Sequence, residues 1–263
     1  MGRLTGSLLI ALCLGTLVGV LVVSDREPTT VVGRAIAPPF AAPALVEGDW
    51  AVPTTAPSSA ANPTSFLVAD AVGPSVELRT DPDRPLDVTT SIDNPTWEGL
   101  DVVFLVLERR DEWLHVRVSS RPNGQTAWVR ASDVALRRVP NWIRIELGAR
   151  RVTVLHGDAP LLSTQVAIGK RETPTPPGSY FVDGLVPLDP PHRAYGAGQV
   201  SVSAFSPTLT SFGGGVGQIA LHGTQATGLL GQETSNGCVR LDNDSIRRVM
   251  DLAPTGTPVE IVA

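Results

Sequence analysis

A cysteine and a histidine near the C-terminus are spaced in a way that suggests nucleophilic chemistry. Cys238 closes the string Ser235-Asn236-Gly237-Cys238, 16 residues after His222. A thiol has an ordinary pKa of about 8.5 and becomes a good nucleophile when a nearby imidazole takes its proton. Backbone N–H groups of the turn at 236–238 could hold the oxyanion of an acyl-transfer intermediate. The pair indicates cysteine-dependent acyl transfer; the alternatives are a buried, inert Cys238 and a structural His222.

The elements around this pair are predicted to be mainly β. His222 follows the apolar residues 219–221, and Cys238 precedes the one good helical pattern of the region. That pattern has apolar residues at i, i+3, i+4 and i+7, with Asp242 or Asn243 as its cap and Pro254 after its end; its members are Ile246, Val249, Met250 and Ala253. Alternating or apolar runs predict strands at 143–147, 152–154, 161–168, 199–205, 218–221 and 259–261.

We therefore predict that residues 140–263 form a mixed, sandwich-like β-sheet domain with one helix after the cysteine. A smaller β module is expected at 66–139, where short strand patterns alternate with turn signals such as Pro122-Asn123-Gly124. Its Trp113 and Trp128 strands resemble the bacterial SH3-like barrels of wall-associated proteins. These tryptophans are expected to serve the core of the module.

The N-terminal segments indicate export. Residues 8–23 form a 16-residue uncharged apolar run that follows Arg3, which is the order of a secretory signal. We interpret residues 1–24 as a signal anchor, with a cleaved signal peptide as the alternative. Residues 25–65 contain seven prolines and no sustained periodicity, so they are predicted to be a Pro/Ala-rich linker. If the first segment is cleaved or embedded, Cys238 cannot form a disulfide with Cys13.

Composition narrows the function further. Charged residues make up 18% of the 263-residue chain and the net charge is −5, so no electrostatic footprint for nucleic acid is present. The chain contains 25 glycines and 23 prolines, which argues against a helical bundle and favours a turn-rich β protein. No metal and no cofactor is expected.

The segment from 219 to 241 resembles the catalytic signature of the L,D-transpeptidase (YkuD-type) family. His222-Gly223-Thr224 matches the opening of that signature, and the string from Ser235 to Arg240 matches its close. Two further elements of the family are present: Gly169-Lys170 followed by residues 173–178, and the terminal Gly256-Thr257-Pro258-Val259. The resemblance covers roughly residues 141–262.

The resemblance implies a role for each matching residue. Cys238 would be the nucleophile and His222 its base, with the ring of His222 oriented by the carbonyl oxygen of Gly223. The N–H groups of Gly237 and Cys238 would line the oxyanion hole. Many family members have a second histidine where this chain has Asn236, so His222 is the only basic candidate here. Ser235 would stabilise the loop that carries Cys238. Arg240 would stabilise the same loop or, alternatively, bind a substrate carboxylate.

The implied reaction is peptidoglycan cross-linking in the cell envelope. Cys238 would attack a stem tetrapeptide at diaminopimelate, release D-Ala, and pass the acyl group to a neighbouring diaminopimelate amine to form a 3→3 link. Carbapenem-type β-lactams would acylate the same thiol, and residues 8–23 would contact the membrane. Two alternatives remain: an L,D-carboxypeptidase that uses water as the acceptor, and a non-catalytic wall-binding or scaffold protein.

Overall fold

The computed structural model describes residues 62–84, 88–212 and 214–263. They are mainly β-strand with one α-helix near the C-terminus, so the predicted fold class is confirmed. The predicted signal segment and all but the last residues of the predicted linker lie outside the described residues. Within the described ranges, no helix has the length and apolar character needed to cross a membrane.

Residues 66–139 form a seven-stranded antiparallel sheet. Its strands are β1 (Phe66–Ala71), β2 (Ser75–Arg79), β3 (Val88–Asp93), β4 (Val103–Arg110), β5 (Trp113–Arg117), β6 (Thr126–Arg130) and β7 (Val134–Val139). The order across the sheet is β3-β2-β6-β5-β4-β1-β7. In β5 the alternation is clear, because Leu114 and Val116 are fully buried while His115 between them is half-buried. A single 3-10 turn, Ala131–Asp133, leads into β7.

Residues 142–262 form a second, mixed sheet of eight strands with a short two-stranded sheet beside it. The strands are β8 (Trp142–Glu146), β9 (Arg151–His156), β10 (Ala159–Gln165), β11 (Ile168–Gly169), β12 (Gly178–His192), β13 (Gly196–Phe205), β14 (Gln218–Thr224), β15 (Glu233–Ser235), β16 (Val239–Asp242) and β17 (Pro258–Val262). The large sheet has the order β10-β9-β8-β17-β12-β13-β14-β16, while β11 pairs with β15. The pairs β8–β17 and β14–β16 are parallel. A 3-10 turn spans Thr227–Leu229.

The helix α1 (Asn243–Leu252) begins directly after β16 and packs on β13, β14 and β16. Asp242 caps its N-terminus, where the side chain accepts hydrogen bonds from the backbone N–H groups of Asp244 and Ser245. Ile246 and Val249 are fully buried against the sheet. The predicted cap and apolar face are therefore both present, and the helix holds one side of the strand that follows Cys238.

The two sheets share a small apolar cluster. Phe181 of β12 is fully buried against Val68, Val103, Leu105 and Val139 of the N-terminal sheet. Polar contacts also join the two regions: Arg121 donates to the backbone oxygens of Ser206, Leu209 and Val216, and Asn123 exchanges two hydrogen bonds with the backbone of Phe205. The N-terminal sheet therefore covers part of one face of the C-terminal sheet.

Candidate active site

His222 lies near the end of β14, on the sheet face opposite the C-terminal core. Its neighbour Leu221 points into that core and is fully buried. The Nδ1 atom of His222 lies 2.9 Å from the carbonyl oxygen of Gly223. A carbonyl oxygen only accepts hydrogen bonds, so Nδ1 carries the hydrogen and Nε2 keeps the lone pair. This geometry suits His222 to act as a base through Nε2.

The surroundings of His222 hold its ring in the neutral form. The residue is only 4% exposed. Burial is the main cause that lowers the pKa of His222 to about 4; the hydrogen bond to Gly223 opposes it, and the positive charge of Arg240 lowers the pKa a little further. At neutral pH the ring is therefore uncharged and able to accept a proton.

Cys238 is placed beside this strand by the parallel pairing of β14 with β16. In that register His222 is opposite Arg240, and Cys238 lies one residue before β16 begins. A side chain added at Gly237 would meet Ile219 of the core at 2.9 Å, so Gly237 faces inwards. Val239, the first residue of β16, is fully buried in the C-terminal core, so the alternation of β16 extended back by one residue puts Cys238 on the same face as His222. Cys238 is half-buried.

Ser235 fastens the turn that carries the cysteine. Its hydroxyl donates to the carbonyl oxygen of Cys238 at 2.5 Å and accepts the N–H of Gly237 at 3.1 Å. Gly237 has a φ of 118°, a conformation that side chains rarely adopt. Serine and glycine at these two positions thus fix the backbone path into Cys238.

Residues 169–178 brace the same turn through two threonines. Thr175 donates its hydroxyl to the carbonyl oxygen of Gly237 at 2.7 Å and accepts the N–H of Gly169 at 2.9 Å. Thr173 donates to the carbonyl oxygen of Ser235 at 3.2 Å. Both threonines are buried. The motif that lies far from Cys238 in sequence therefore supports the cysteine turn directly.

Arg240 and Asn236 flank Cys238 and are both half-buried. The backbone of Arg240 exchanges two hydrogen bonds with Ala167, at 2.8 and 3.0 Å. Within the part of the chain that the structure describes, its guanidinium forms no hydrogen bond or salt bridge. The backbone of Arg240 thus contributes to the sheet, and its positive side chain remains available near His222.

Glycine at 223 is required by close packing. A side chain there would lie 2.5 Å from Oδ1 of Asn243 and 2.8 Å from the backbone nitrogen of Ala197. Asn243 Oδ1 accepts the N–H of Ala197 at 2.9 Å. This contact ties the first turn of α1 to β13 beneath the carbonyl group that orients His222.

An aromatic residue that contacts His222, and a second one stacked on it, gave no signal in the sequence. The ring of Tyr195 meets that of His222 edge-on, with centroids 5.2 Å apart and an interplanar angle of 81°. His192 stacks on Tyr195 at 5.5 Å. Both lie at the tip of the β12–β13 hairpin, far from the catalytic motifs in sequence. Tyr195 thus forms one wall of the histidine pocket.

The pKa of His222 predicts the acid side of the pH profile. A protonated imidazole cannot accept the thiol proton, so acylation of Cys238 should fall as the pH drops through about 4. Between pH 7 and about 5 the protonation of His222 should hardly change the acylation rate. With an unperturbed histidine as the base, the rate would instead fall near pH 6.5. Acylation by a carbapenem, followed by mass spectrometry across this range, measures the midpoint. A midpoint near 6.5 would show that burial does not hold His222 neutral.

No cluster of three or more histidine, cysteine or acidic side chains suited to a metal occurs among residues 62–84, 88–212 and 214–263.

Comparisons with known proteins concern the C-terminal region. Residues 140–261 match the YkuD family model, which describes the L,D-transpeptidase catalytic domain. The protein YkuD of Bacillus subtilis is 25% identical over 123 residues, which are 47% of this chain and 66% of the relative. The protein ErfK/SrfK of Escherichia coli is 46% identical over 43 residues, 16% of this chain and 14% of that protein. The resemblance recognised from the motifs is thereby confirmed for this region.

A solved structure of L,D-transpeptidase 3 from Mycobacterium tuberculosis, in complex with a faropenem-derived adduct, aligns with a TM-score of 0.39 and 16% identity. The alignment covers 52% of this chain and 73% of that one. The chain spans slightly less than two thirds of the Bacillus subtilis relative, and the family match begins only at residue 140.

Proposed function

Because residues 140–261 match the L,D-transpeptidase catalytic domain, we propose that this chain is a cysteine-dependent peptidoglycan L,D-transpeptidase that forms 3→3 cross-links. The observation that carries the proposal is the state of His222. Its Nδ1 is held by the carbonyl oxygen of Gly223, its ring is neutral, and its strand pairs with the strand that begins directly after Cys238.

Acylation would proceed in two proton-balanced steps. The Cys238 thiol gives its proton to Nε2 of His222, and the sulfur attacks the carbonyl carbon between diaminopimelate and the terminal D-Ala of a stem tetrapeptide. The tetrahedral intermediate collapses, and His222 returns the proton to the departing amine of D-Ala. The products are free D-Ala and a thioester at Cys238.

The oxyanion of that intermediate would be held by backbone N–H groups of the turn at 236–238. The Gly237 N–H donates to Ser235 Oγ at 3.1 Å in the resting structure, so it would have to share that hydrogen with the oxyanion. Asn236 would contribute through its place in this turn, without acid–base chemistry. Arg240 would meet a carboxylate of the stem peptide, because its guanidinium lacks a counter-ion among the described residues.

Resolution of the thioester decides the reaction type. We propose that the side-chain amine of diaminopimelate on a second stem attacks the thioester, and that His222 takes the proton which the amine loses. The result is an amide bond and a regenerated thiol. Attack by water would instead give a tripeptide, which is the L,D-carboxypeptidase reaction.

A donor–acceptor experiment separates these outcomes. Purified protein is incubated with a stem tetrapeptide, with and without a second stem that offers a free diaminopimelate amine, and the products are resolved by liquid chromatography and mass spectrometry. We expect a cross-linked dimer when the acceptor is present. If tripeptide and D-Ala are the products under both conditions, the protein is a carboxypeptidase. If no D-Ala appears, the wall-binding or scaffold alternative gains support.

The place of action is part of the same proposal. The basic-then-apolar order of residues 1–24 supports export, with residues 8–23 as a membrane anchor or, alternatively, a cleaved signal, and residues 25–65 as a spacer. Assembled peptidoglycan lies outside the cytoplasmic membrane, so this position suits the proposed substrate. Carbapenem-type β-lactams are proposed as inhibitors because an activated thiol can open their ring to form a thioester.

A further inference from the structure

The tip of the β12–β13 hairpin lies over the proposed catalytic base. β12 ends at His192 and β13 begins at Gly196, and these two residues are paired across the hairpin. Residues 193–195 therefore form the turn, and Tyr195 is the last of them. The ring of Tyr195 meets the ring of His222 at 81°, with the centroids 5.2 Å apart. The acyl-transfer steps proposed above do not use this contact.

Close packing of the backbone fixes the position of this tip. Gly196 has a φ of 58°, in the left-handed region that favours glycine. A side chain added at Gly196 would lie 2.5 Å from the carbonyl carbon of Gly223 and 2.7 Å from its Cα. The tip is thus packed directly on the residue whose carbonyl oxygen accepts the hydrogen bond from His222. This packing places Tyr195, the preceding residue, beside the imidazole.

The hydrogen bond to Gly223 does not by itself fix the imidazole of His222. It sets the tautomer at Nδ1, over a distance of 2.9 Å, but its acceptor belongs to the very next residue. The outer side-chain torsion of a histidine is broad and roughly two-fold, so a ring tethered at one atom needs a packed neighbour to hold its plane. The edge-to-face contact with Tyr195 supplies that neighbour. Together the two contacts determine where Nε2 points.

Tyr195 also lies between His222 and solvent. His222 is only 4% exposed, whereas Tyr195 is half-buried. The ring of His192 stacks on Tyr195 with the centroids 5.5 Å apart, and it is half-buried as well. Removal of the Tyr195 ring would therefore open a path for water to the imidazole. Because burial is the main cause of the low pKa of His222, such an opening should raise that pKa.

The charges around His222 do not depend on Tyr195. The titratable and charged groups at this site are Arg240 opposite His222 on β16, Cys238 just before that strand, Asp242 at the cap of α1, and His192 beyond Tyr195 on the hairpin. The residue opposite His222 on β13 is the uncharged Gln199. A tyrosine ring is uncharged in acid, so its replacement leaves these charges in place. A change in the acid midpoint after that replacement therefore reports the exposure of the imidazole.

We propose that Tyr195 is a positioning residue for acyl transfer at Cys238: its ring excludes water from His222 and holds Nε2 towards the thiol. This inference rests on the proposed function for its reaction, while the contact itself can be tested without a substrate. The ring acts and its hydroxyl does not, so Tyr195→Ala is the disruptive variant and Tyr195→Phe the conservative one. Both should fold, because backbone packing fixes the hairpin tip.

The first test is the rate of carbapenem acylation of the full-length protein at saturating ligand, followed by mass spectrometry between about pH 3.5 and 8. Tyr195→Ala should raise the acid midpoint from about 4 by about one to two pH units, towards the ordinary value of about 6.5. It should also lower the rate at neutral pH about tenfold, because Nε2 is less well aligned with the thiol. Tyr195→Phe should retain both the midpoint and the rate.

Arg193→Ala is the matched control, because Arg193 is exposed at the same tip, two residues before Tyr195. It should also retain the midpoint near pH 4. A midpoint that stays near 4 in Tyr195→Ala would overturn the inference. An equal rise of the midpoint in Tyr195→Phe or in Arg193→Ala would overturn it as well, since the ring would then not be the cause.

Titration of the imidazole by NMR gives a second readout that needs no reaction. The chain has four histidines, so the ring signal of His222 is assigned from its loss in His222→Ala. The same rise of its pKa is expected in Tyr195→Ala, with circular dichroism at each pH as the check on folding. An unchanged His222 titration in that variant contradicts the inference. If the wild-type protein reacts with neither a carbapenem nor a stem peptide, the proposed function fails, while this titration still decides whether Tyr195 shields His222.

Discussion

Replacing Cys238 with alanine is expected to abolish thioester formation and cross-linking, while the fold stays intact. The Cys238 sulfur is the proposed nucleophile, and loss of a catalytic nucleophile lowers turnover by on the order of 10⁶-fold. The substitution should cost little stability, because Cys238 is half-buried and its turn is held by Ser235 and Thr175. Cross-linked product is measured by mass spectrometry and folding by circular dichroism.

Cys238→Ser is the matched variant, since it keeps a side chain of similar shape and replaces the thiol with a much less acidic hydroxyl. It should be folded and almost inactive. Substantial 3→3 product from a purified Cys238→Ala protein would show that Cys238 is not the nucleophile.

The second large effect is expected for His222→Ala. Loss of a general base costs about 10²–10⁴ in rate, so acylation by a stem peptide or a carbapenem should slow by that factor, with a smaller effect on binding. Acylation rates measured over a range of ligand concentrations separate the two. The variant also loses the acid midpoint near pH 4 that His222 imposes.

His156→Ala is the control for a general effect of removing a histidine. His156 is exposed at the end of β9, where its Nδ1 lies 3.0 Å from the carbonyl oxygen of Pro140. The His156→Ala substitution should therefore leave the acylation rate unchanged. An acylation rate that is also unchanged in His222→Ala would mean that Cys238 is activated by another group.

Much of the C-terminal fold follows from local patterns in the sequence. The apolar spacing and the Asp242 cap predict α1, and alternation predicts β8, β9, β14 and β17. The predicted strand at 161–168 was too long: β10 ends at Gln165, and β11 begins at Ile168. The backbone of Val166, between them, bonds instead to Arg150 and Gly231. Hydrogen-bond partners that are distant in sequence cannot be predicted from a local run of apolar residues.

The longest strand, β12, was not predicted at all. It contains Gly184, Pro187, Pro190 and Pro191, which argue against a central strand. The strand tolerates these residues because β17 pairs only with the first part of β12, from Gly178 to Phe181. Beyond that point β12 pairs on one side only, with β13, so proline does not break a ladder on the other side.

The proposed catalytic residues and the residues that support them differ in how well they can be predicted. His222 and Cys238 stand out because a family motif surrounds them. The contact between Tyr195 and His222 depends on the fold of the β12–β13 hairpin, which the prolines of β12 obscure. The hydrogen bond between Thr175 and Gly237 joins segments 62 residues apart. The family motif around Thr175 indicates that this segment matters, but it does not indicate that Gly237 is the partner.

The most direct test of the central claim is the mass of the peptide that contains Cys238 after the purified protein has reacted with a stem tetrapeptide. The protein is quenched in acid during turnover, digested, and fragmented in the mass spectrometer. The proposed mechanism predicts a tripeptide acyl group on Cys238, in thioester linkage, with one D-Ala released for each acyl group formed. Release of D-Ala without an adduct on Cys238, or an adduct on any other residue, would contradict it.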